Sequence, residues 1–345
     1  MLRCAQHDMI ETCIIRQYPA KDYGMRKVLW ALAGLIVVVL VGLGGVLAFD
    51  APAKPTVLAS VSDPFAAVDF RDLPAVQTYA ARDGTQLGYR AYQGSGAQVV
   101  VLIHGSSDDG SGMHPLAKAL RDAGASVYVP VLRGHRGSGR SGDIDYIGQL
   151  EDDLADFGTV LRPLHPGAGF TLIGFSSGGG FVLRVIAGRD EKLFDRFVMI
   201  SPALPHGAPT LRPGTGGWVS LALPRIIVLS MLNRVGVDWF NGRPIVAFAT
   251  SPKAQNLTGV YSYRLAIDFG ATRDYLAALG RSKKPAALLV GGGDELFYPD
   301  RFVPLFAPAR PDLPITIVPG IGHIGMTVAP EGIAAVRKAF LDLLR

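Results

Sequence analysis

Short apolar runs recur along the chain after residue 76, and most of them end in glycine or in small polar residues. They lie at 99–105, 126–134, 170–176, 197–203, 286–294 and 315–320. Runs of this length that do not alternate with polar residues are typical of strands buried on both faces of a parallel sheet. The pattern therefore predicts a series of buried parallel strands.

Segments with helical periodicity lie between several of these runs. They span 113–124, 149–164, 178–188 and, at the end of the chain, 331–345. A hairpin is predicted before them at 78–94, where Asp83-Gly84 supplies a turn signal. Because strand and helix alternate, we expect an α/β fold with a mostly parallel, doubly wound sheet and helices on both faces, spanning 76–345.

Residues 204–284 interrupt this alternation. They are too many for a simple crossover, so they predict an inserted segment, here called the insert. Within it, residues 218–240 are strongly apolar and include Trp218, Trp239 and Phe240. Two interpretations of this stretch are open, a helix pair packed against the core or an apolar roof over a pocket.

The longest apolar run lies near the N-terminus. Residues 28–49, VLWALAGLIVVVLVGLGGVLAF, are 22 residues without a charge, enough for a helix to cross roughly 30 Å of hydrocarbon. A core helix would rarely be uncharged over this length. A cleaved signal peptide, which would leave a secreted protein, usually has an apolar region of about 7 to 15 residues. We therefore favour a retained single-pass membrane anchor over cleavage.

The charges around this run predict its orientation. Arg26 and Lys27 precede it and Asp50 follows it, so the positive-inside rule leaves residues 1–27 in the cytoplasm and the remainder in a periplasm or outside the cell. Met25 followed by these cations resembles a translation start, which would make the residues before it a misassigned extension. Residues 50–75, rich in Pro, Ala and Asp, are interpreted as a linker.

Composition narrows the classes of function. Hydrophobic residues make up 49% of the chain and charged residues 18%, which excludes a disordered or fibrous protein. The formal net charge is +5, but no Lys/Arg run is interleaved with aromatic residues, so we expect no nucleic-acid partner. Cys4 and Cys13 both precede the apolar run, so the exported part would have no disulfide and no cysteine metal site.

A candidate nucleophile, Ser176, lies in GFSSG at 174–178, with the apolar FTLI just before it. In a chain this rich in glycine the pattern alone is weak evidence, so partners are needed. Ligands of doubly wound sheets bind at the carboxyl ends of strands, where Asp294 and His323 follow two predicted strands. A serine needs a base such as His323 and an acid that holds the imidazole tautomer. Glu295 is a rival to Asp294 for the acid.

The chain order Ser176, Asp294, His323 and the strand–turn–helix context of the serine resemble the α/β-hydrolase superfamily. Within it, the chain is most similar to the branch of serine aminopeptidase S33, monoacylglycerol lipase and lysophospholipase-like proteins, over roughly residues 76–345. The resemblance implies a nucleophile elbow at Gly174, Ser176 and Gly178. It also implies that the first acid, Asp294, is the triad member.

The same resemblance assigns further roles. The amides of Ser177 and of Ser106, in HGSS at 104–107, would form the oxyanion hole. His104 would be structural and the insert would be a lid. No metal or other cofactor is implied. The turn RGHRGSGRSG at 133–142 departs from the family pattern, since Val131 replaces an acid and Arg136 a glycine.

The remaining histidines carry no metal-ligand spacing. They are His7, His114, His165 and His206. Surface or loop placement explains them, and no metal site is expected.

These features together favour a membrane-anchored serine hydrolase that cleaves carboxylic esters with small acyl or monoacyl-lipid groups. One alternative is an aminopeptidase-like enzyme, which would need acids near the site to receive a substrate amine, and the insert offers few: Asp238, Asp268 and Asp274. The other alternative is a non-catalytic interaction protein on a hydrolase scaffold.

Overall fold

The structure, a computed structural model, describes residues 23–251, 254 and 256–345. It divides into two units, the second of which spans Phe49–Arg345. Of the predicted cytoplasmic segment, residues 1–22 lie outside this description, as do Cys4 and Cys13.

The predicted apolar run forms the helix α1 (Tyr23–Phe49). Its part Gly24–Phe49 has 26 residues and a mean hydropathy of 2.7, so it is long and apolar enough to cross a membrane. The side chains of residues 24–41 are exposed.

The strands and the remaining helices alternate over most of the second unit. The strands are β1 (Gln77–Ala80), β2 (Gln86–Tyr92), β3 (Gln98–Ile103), β4 (Ser126–Pro130), β5 (Gly169–Phe175), β6 (Arg196–Ile200), β7 (Val219–Leu221), β8 (Pro244–Phe248), β9 (Val260–Ser262), β10 (Ala286–Gly291) and β11 (Ile315–Val318). The helices are α2 (Ala59–Ser62), α3 (His114–Asp122), α4 (Gln149–Leu161), α5 (Ser177–Ala187), α6 (Leu223–Arg234), α7 (Tyr263–Asp268), α8 (Tyr275–Arg281), α9 (Phe302–Phe306), α10 (Gly325–Val328) and α11 (Pro330–Asp342).

Within the described chain, an eight-stranded sheet has the order β1-β2-β4-β3-β5-β6-β10-β11. Strand β2 pairs antiparallel with β1 and β4. The other neighbouring strands of this sheet, in the order β4-β3-β5-β6-β10-β11, all pair parallel. This confirms the mostly parallel, doubly wound sheet predicted from the apolar runs.

Helices cover both faces of the sheet, as the side chains of β4 show. Successive side chains of a strand point to opposite faces. Val127 and Val129 belong to a core cluster that includes Leu116 of α3. Tyr128, between them, packs its ring on Phe157 of α4, with 6.3 Å between ring centroids. The alternating elements of the sequence therefore become a three-layer fold.

The insert holds a small sheet of its own, with β8 between β7 and β9 in antiparallel pairing. The stretch 218–240 matches neither interpretation fully, because it contains β7 and the single helix α6 rather than a helix pair. Trp218 is buried, whereas Trp239 is 83% exposed. Val228 and Leu229 of α6 are buried as well, so the stretch packs inward at its start and along one side of the helix.

Residues 50–75, predicted to be a linker, include helical turns that pack against the core. The compact unit begins at Phe49, and the segment includes α2 and a 3₁₀-helix at Asp63–Ala67. Val61 and Phe65 pack against the main core cluster. Their spacing of four residues places both apolar side chains on one face of the helical turns. In a segment rich in Pro and Ala, two such residues are too few to predict a packed helix. We call residues 50–72 the strap.

Candidate active site

Ser176 lies in the sharp turn between β5 and α5. Its φ is 55° and its ψ is −117°, a conformation that costs a non-glycine residue about 1–3 kcal/mol. A methyl group on Gly174 would lie 2.1 Å from the carbonyl oxygen of Gly178. One on Gly178 would lie 2.5 Å from the carbonyl oxygen of His104. Glycine at both positions therefore lets strand and helix approach closely enough to form the turn.

The predicted base and acid lie beside this serine. Ser176 Oγ is 3.0 Å from His323 Nε2, and His323 Nδ1 is 2.7 Å from Asp294 Oδ2. All three side chains are buried. When Nδ1 donates to the Asp294 carboxylate, Nε2 is left to accept the hydroxyl proton of Ser176. The arrangement can thus activate the hydroxyl as a nucleophile.

Asp294 is held as a carboxylate. Its Oδ1 accepts hydrogen bonds from the amides of Leu296 and Phe297, each at 2.9 Å. Burial alone would raise the pKa of Asp294, but the charge and hydrogen bond of His323, with these two amides, lower it below the ordinary value. The ionised group can therefore stabilise a positive charge on the imidazole.

Glu295, the rival acid, contacts the same residue differently. Its Oε2 accepts a hydrogen bond from the backbone N–H of His323 at 2.9 Å. Glu295 therefore fixes the main chain of the loop, while Asp294 contacts the imidazole. The ring itself packs between Phe175 and Phe297, with centroid distances of 4.8 and 4.9 Å.

The two amides predicted for the oxyanion hole belong to residues close to the serine. Ser177 is the first residue of α5, so its N–H is one of the donors that a helix N-terminus leaves free. Ser106 follows Gly105, on which a methyl group would lie 3.4 Å from Cβ of Ser176. The Ser106 hydroxyl accepts a hydrogen bond from Trp218 Nε1 at 3.0 Å. The insert therefore contacts the loop that carries Ser106.

Ser107, the next residue of this loop, is clamped by the insert. Its amide donates to the hydroxyl of Tyr261 at 2.5 Å. Its hydroxyl donates to the carbonyl oxygen of Thr258 at 2.7 Å, and its carbonyl accepts from the Thr258 amide at 2.8 Å. Ser107 has a φ of 74°, uncommon for a residue other than glycine. The role of Tyr261 is not evident from the sequence, because no local pattern indicates a contact across 154 positions.

Two buried histidines lie behind the same loop. His104 and His135 pack edge to face with 4.6 Å between centroids. Burial lowers the pKa of His104 to about 4 and that of His135 well below its ordinary value. His135 Nδ1 donates to the carbonyl of Leu132 at 3.0 Å, so its neutral Nε2 accepts from the Tyr261 hydroxyl, 2.5 Å away. The hydrogen bonds that hold Ser107 thus continue through Tyr261 and His135 to the turn after β4.

A cavity of about 330 Å³ opens at Ser176 and His323. The strap, the insert and loops of the main sheet contribute its mostly apolar walls. The lining includes Phe65, Met113, Phe175, Trp218, Leu257 and Leu296. The volume is near the lower end of the roughly 300–1,000 Å³ typical of small-molecule sites.

Asp108 adds a carboxyl group to this cavity. Its Oδ1 accepts from the amides of Asp109 at 2.8 Å and Gly112 at 3.3 Å. Burial, and then the charge of Asp109, raise the pKa of Asp108 to about 7. Asp108 directly follows the HGSS motif, outside the insert in which such acids were expected.

A serine at a strand–helix turn of a mostly parallel sheet, with an acid and a histidine on the loops after later strands, defines an α/β-hydrolase of the serine hydrolase class. A family model described as serine aminopeptidase, S33, matches residues 94–326. The chain belongs to this family. No curated protein that was searched matches the chain significantly.

Solved structures share the fold at low sequence identity. A soluble variant of monoglyceride lipase from Saccharomyces cerevisiae is 20% identical, with a TM-score of 0.59 over 81% of this chain and 97% of that one. The monoacylglycerol lipase of Paleococcus ferrophilus is 20% identical, with a TM-score of 0.56 over 75% and 98%. A thermophilic esterase from Thermogutta terrifontis is 20% identical, with a TM-score of 0.53 over 78% and 99%.

Proposed function

We propose that the protein is a membrane-anchored hydrolase of carboxylic esters that works through an acyl-enzyme on Ser176. The observation that carries this proposal is the continuous hydrogen-bond chain from Ser176 through His323 to Asp294, 3.0 and 2.7 Å, at the wall of an apolar cavity. An apolar cavity suits the acyl group of an ester.

The positions of these atoms support the following mechanism. Ser176 Oγ attacks the ester carbonyl carbon while its proton passes to His323 Nε2. The oxygen that gains negative charge accepts from the amides of Ser106 and Ser177. His323 then gives its proton to the leaving alkoxide, and Asp294 stabilises the transient imidazolium. Water then gives a proton to His323 and attacks the acyl carbon. The bond from that carbon to Ser176 Oγ breaks, and His323 returns the proton to Oγ as the acid leaves.

The cavity and the apolar helix both support the proposed substrate class. A volume of about 330 Å³ suits small or medium acyl groups, including those of monoacyl lipids. Residues 24–49 would hold the enzyme on a membrane with its N-terminus in the cytoplasm and its catalytic unit on the other side. An amphiphilic ester in the bilayer would be within reach of such an enzyme.

A peptidase acting at free N-termini is the second candidate, and Asp108 favours it. A carboxylate in the cavity could bind a substrate ammonium group, which would lower its raised pKa. Rates on aminoacyl p-nitroanilides and on p-nitrophenyl esters of matched acyl size separate the two candidates. Faster cleavage of the anilides, lost in Asp108→Asn, would support the peptidase.

Labelling with a fluorophosphonate probe tests the nucleophile and the anchor together. Membrane and soluble fractions of cells that make wild type, Ser176→Ala or Ser177→Ala are labelled and separated on a gel. Ser177→Ala is the matched control, because it removes the neighbouring hydroxyl but keeps the backbone amide. We expect labelling of wild type and of Ser177→Ala in the membrane fraction, and none of Ser176→Ala. Unlabelled, folded wild type would contradict the proposed mechanism, and labelling in the soluble fraction alone would contradict the anchor.

A further inference from the structure

The strap lines the same cavity as Ser176. Leu58, Val61, Phe65 and Phe70 of the strap belong to the cavity wall. The family model matches the chain only from residue 94, so these side chains come from outside the part shared with the family.

Both ends of the strap are fixed to the compact unit. At its start, the carboxylate of Asp50 accepts from the backbone N–H of Arg225 at 2.9 Å, in the first turn of α6. This is a favourable place for a negative charge. At its end, Asp72 accepts from His114 Nε2 at 3.0 Å and pairs with Lys118. The strap is therefore tied to the insert at one end and to α3 at the other.

The tie at Asp72 corrects one interpretation of the sequence. The sequence predicts a surface or loop position for His114, but His114 is buried at the start of α3. Its Nδ1 lies 2.9 Å from the hydroxyl of Tyr92, and its ring stacks on Phe70. The imidazole thus joins the strap to the main sheet and helps to hold Phe70 at the cavity.

Phe65 packs against a loop beside the site. A methyl group on Gly112 would lie 3.1 Å from Cε1 of Phe65 and 2.9 Å from Oδ2 of Asp108. The ring therefore lies against the loop that follows the HGSS motif. A smaller side chain at Phe65 would enlarge the cavity, and a larger one would reduce it.

We propose that the strap is the acyl-chain wall of the active site and that Val61 and Phe65 set the length of acyl chain accepted. This inference rests on the proposed function, because it assigns a substrate group to the cavity of that site. Each methylene buried against such a wall changes affinity about fourfold. Removal or addition of ring volume should therefore move the preferred chain length by a few carbons.

The test uses the full chain in detergent micelles and a series of p-nitrophenyl esters from acetate to palmitate. Phe65→Ala should move the maximum of kcat/KM to longer chains, and Val61→Phe should move it to shorter ones. Acetate, which does not reach the wall, should change little in either variant. Phe65→Leu, a milder change, covers the case in which Phe65→Ala does not fold. Val57→Ala is the control, because Val57 is exposed in the same segment and lies outside the cavity wall.

A binding measurement separates this inference from the proposed function. The same wall variants are made in Ser176→Ala protein, and calorimetry measures binding of fatty acids from butanoate to palmitate. The same shifts in preferred length are expected whether or not the wild type turns over esters. Chain-length preferences that match those of the parent protein in both experiments would overturn the inference, even if fluorophosphonate labelling of Ser176 succeeds.

Discussion

The hydroxyl of Tyr261 lies 2.5 Å from the amide nitrogen of Ser107, so a side chain of the insert holds the loop that carries Ser106. The hydroxyl donates in turn to His135, which donates to the carbonyl of Leu132. Burial raises the pKa of Tyr261 above its ordinary value, so the phenol keeps its proton and remains a donor. The geometry proposed for the oxyanion hole therefore depends on the insert as well as on the main sheet.

Tyr261→Phe should lower kcat on a short ester by roughly tenfold with little change in KM. The Ser107 amide would lose its acceptor, and the neighbouring Ser106 amide would be less well aimed at charge that develops only in the transition state. Removal of a direct oxyanion donor costs about 10²–10³ in kcat, and an indirect effect should be smaller. Steady-state kinetics on p-nitrophenyl acetate measure the two constants.

Tyr275→Phe is the matched control for that variant. Tyr275 is also buried, and its ring packs on Phe306. It should leave kcat unchanged. If Tyr261→Phe raised KM alone, or if both variants lost activity equally, a positioning role for Tyr261 would be rejected.

Asp294→Asn should reduce kcat by about 10³–10⁴-fold, because the amide no longer holds the reactive tautomer or stabilises the imidazolium. Glu295→Gln should cost less than about tenfold, since the amide oxygen still accepts the backbone N–H of His323. The measurement is kcat for each variant on one ester, with circular dichroism to verify folding. Equal losses in the two variants would reject Asp294 as the triad acid.

Asp108 should make stability depend on pH. Its folded-state pKa, about 7, lies above the ordinary value of 3.8, so the folded protein binds the proton more tightly than the unfolded chain. The contribution of Asp108 to the free energy of unfolding is therefore fully present below about pH 4 and is lost as the pH rises through about 7. Asp108→Asn should therefore raise Tm relative to wild type at pH 8 and have little effect at pH 4. Thermal melts at both values measure this, and a Tm difference independent of pH would contradict the shift.

Two glycines should respond oppositely to alanine. Gly174→Ala should destabilise the fold by about 3 kcal/mol or more, because its methyl group would lie 2.1 Å from the backbone oxygen of Gly178. Gly158→Ala, in α4 with nothing within 4 Å of the added methyl, should stabilise it by about 0.5–1 kcal/mol. Denaturant unfolding of both variants measures the difference, and a similar loss in each would contradict the steric argument.

The elements that sequence reasoning predicted are those with strong local signals. The run FTLI before Ser176 becomes β5, and Asp294 and His323 follow β10 and β11 as expected. These positions follow from buried periodicity and from the rule that sites lie at the carboxyl ends of parallel strands.

What sequence reasoning missed depends on contacts between distant residues. Tyr261 meets Ser107 across 154 positions, and Asp50 meets Arg225 across 175. The raised pKa of Asp108 comes from tertiary burial, which a single sequence does not display. Segments outside the regular alternation, the strap and the insert, were for this reason the least well predicted.

The double attachment of the strap limits how the chain can vary in length. Asp50 and Asp72 are each held by a partner on the compact unit, and between them Val61 and Phe65 lie in the helical turns at 59–67. A residue added or removed between Val61 and Phe65 would rotate one side chain away from the other, because about 100° separates successive side chains in a helical turn. Tolerance of insertions and deletions should therefore be low at 59–67 and higher in the irregular stretch 51–58, as deep scanning of length variants would reveal.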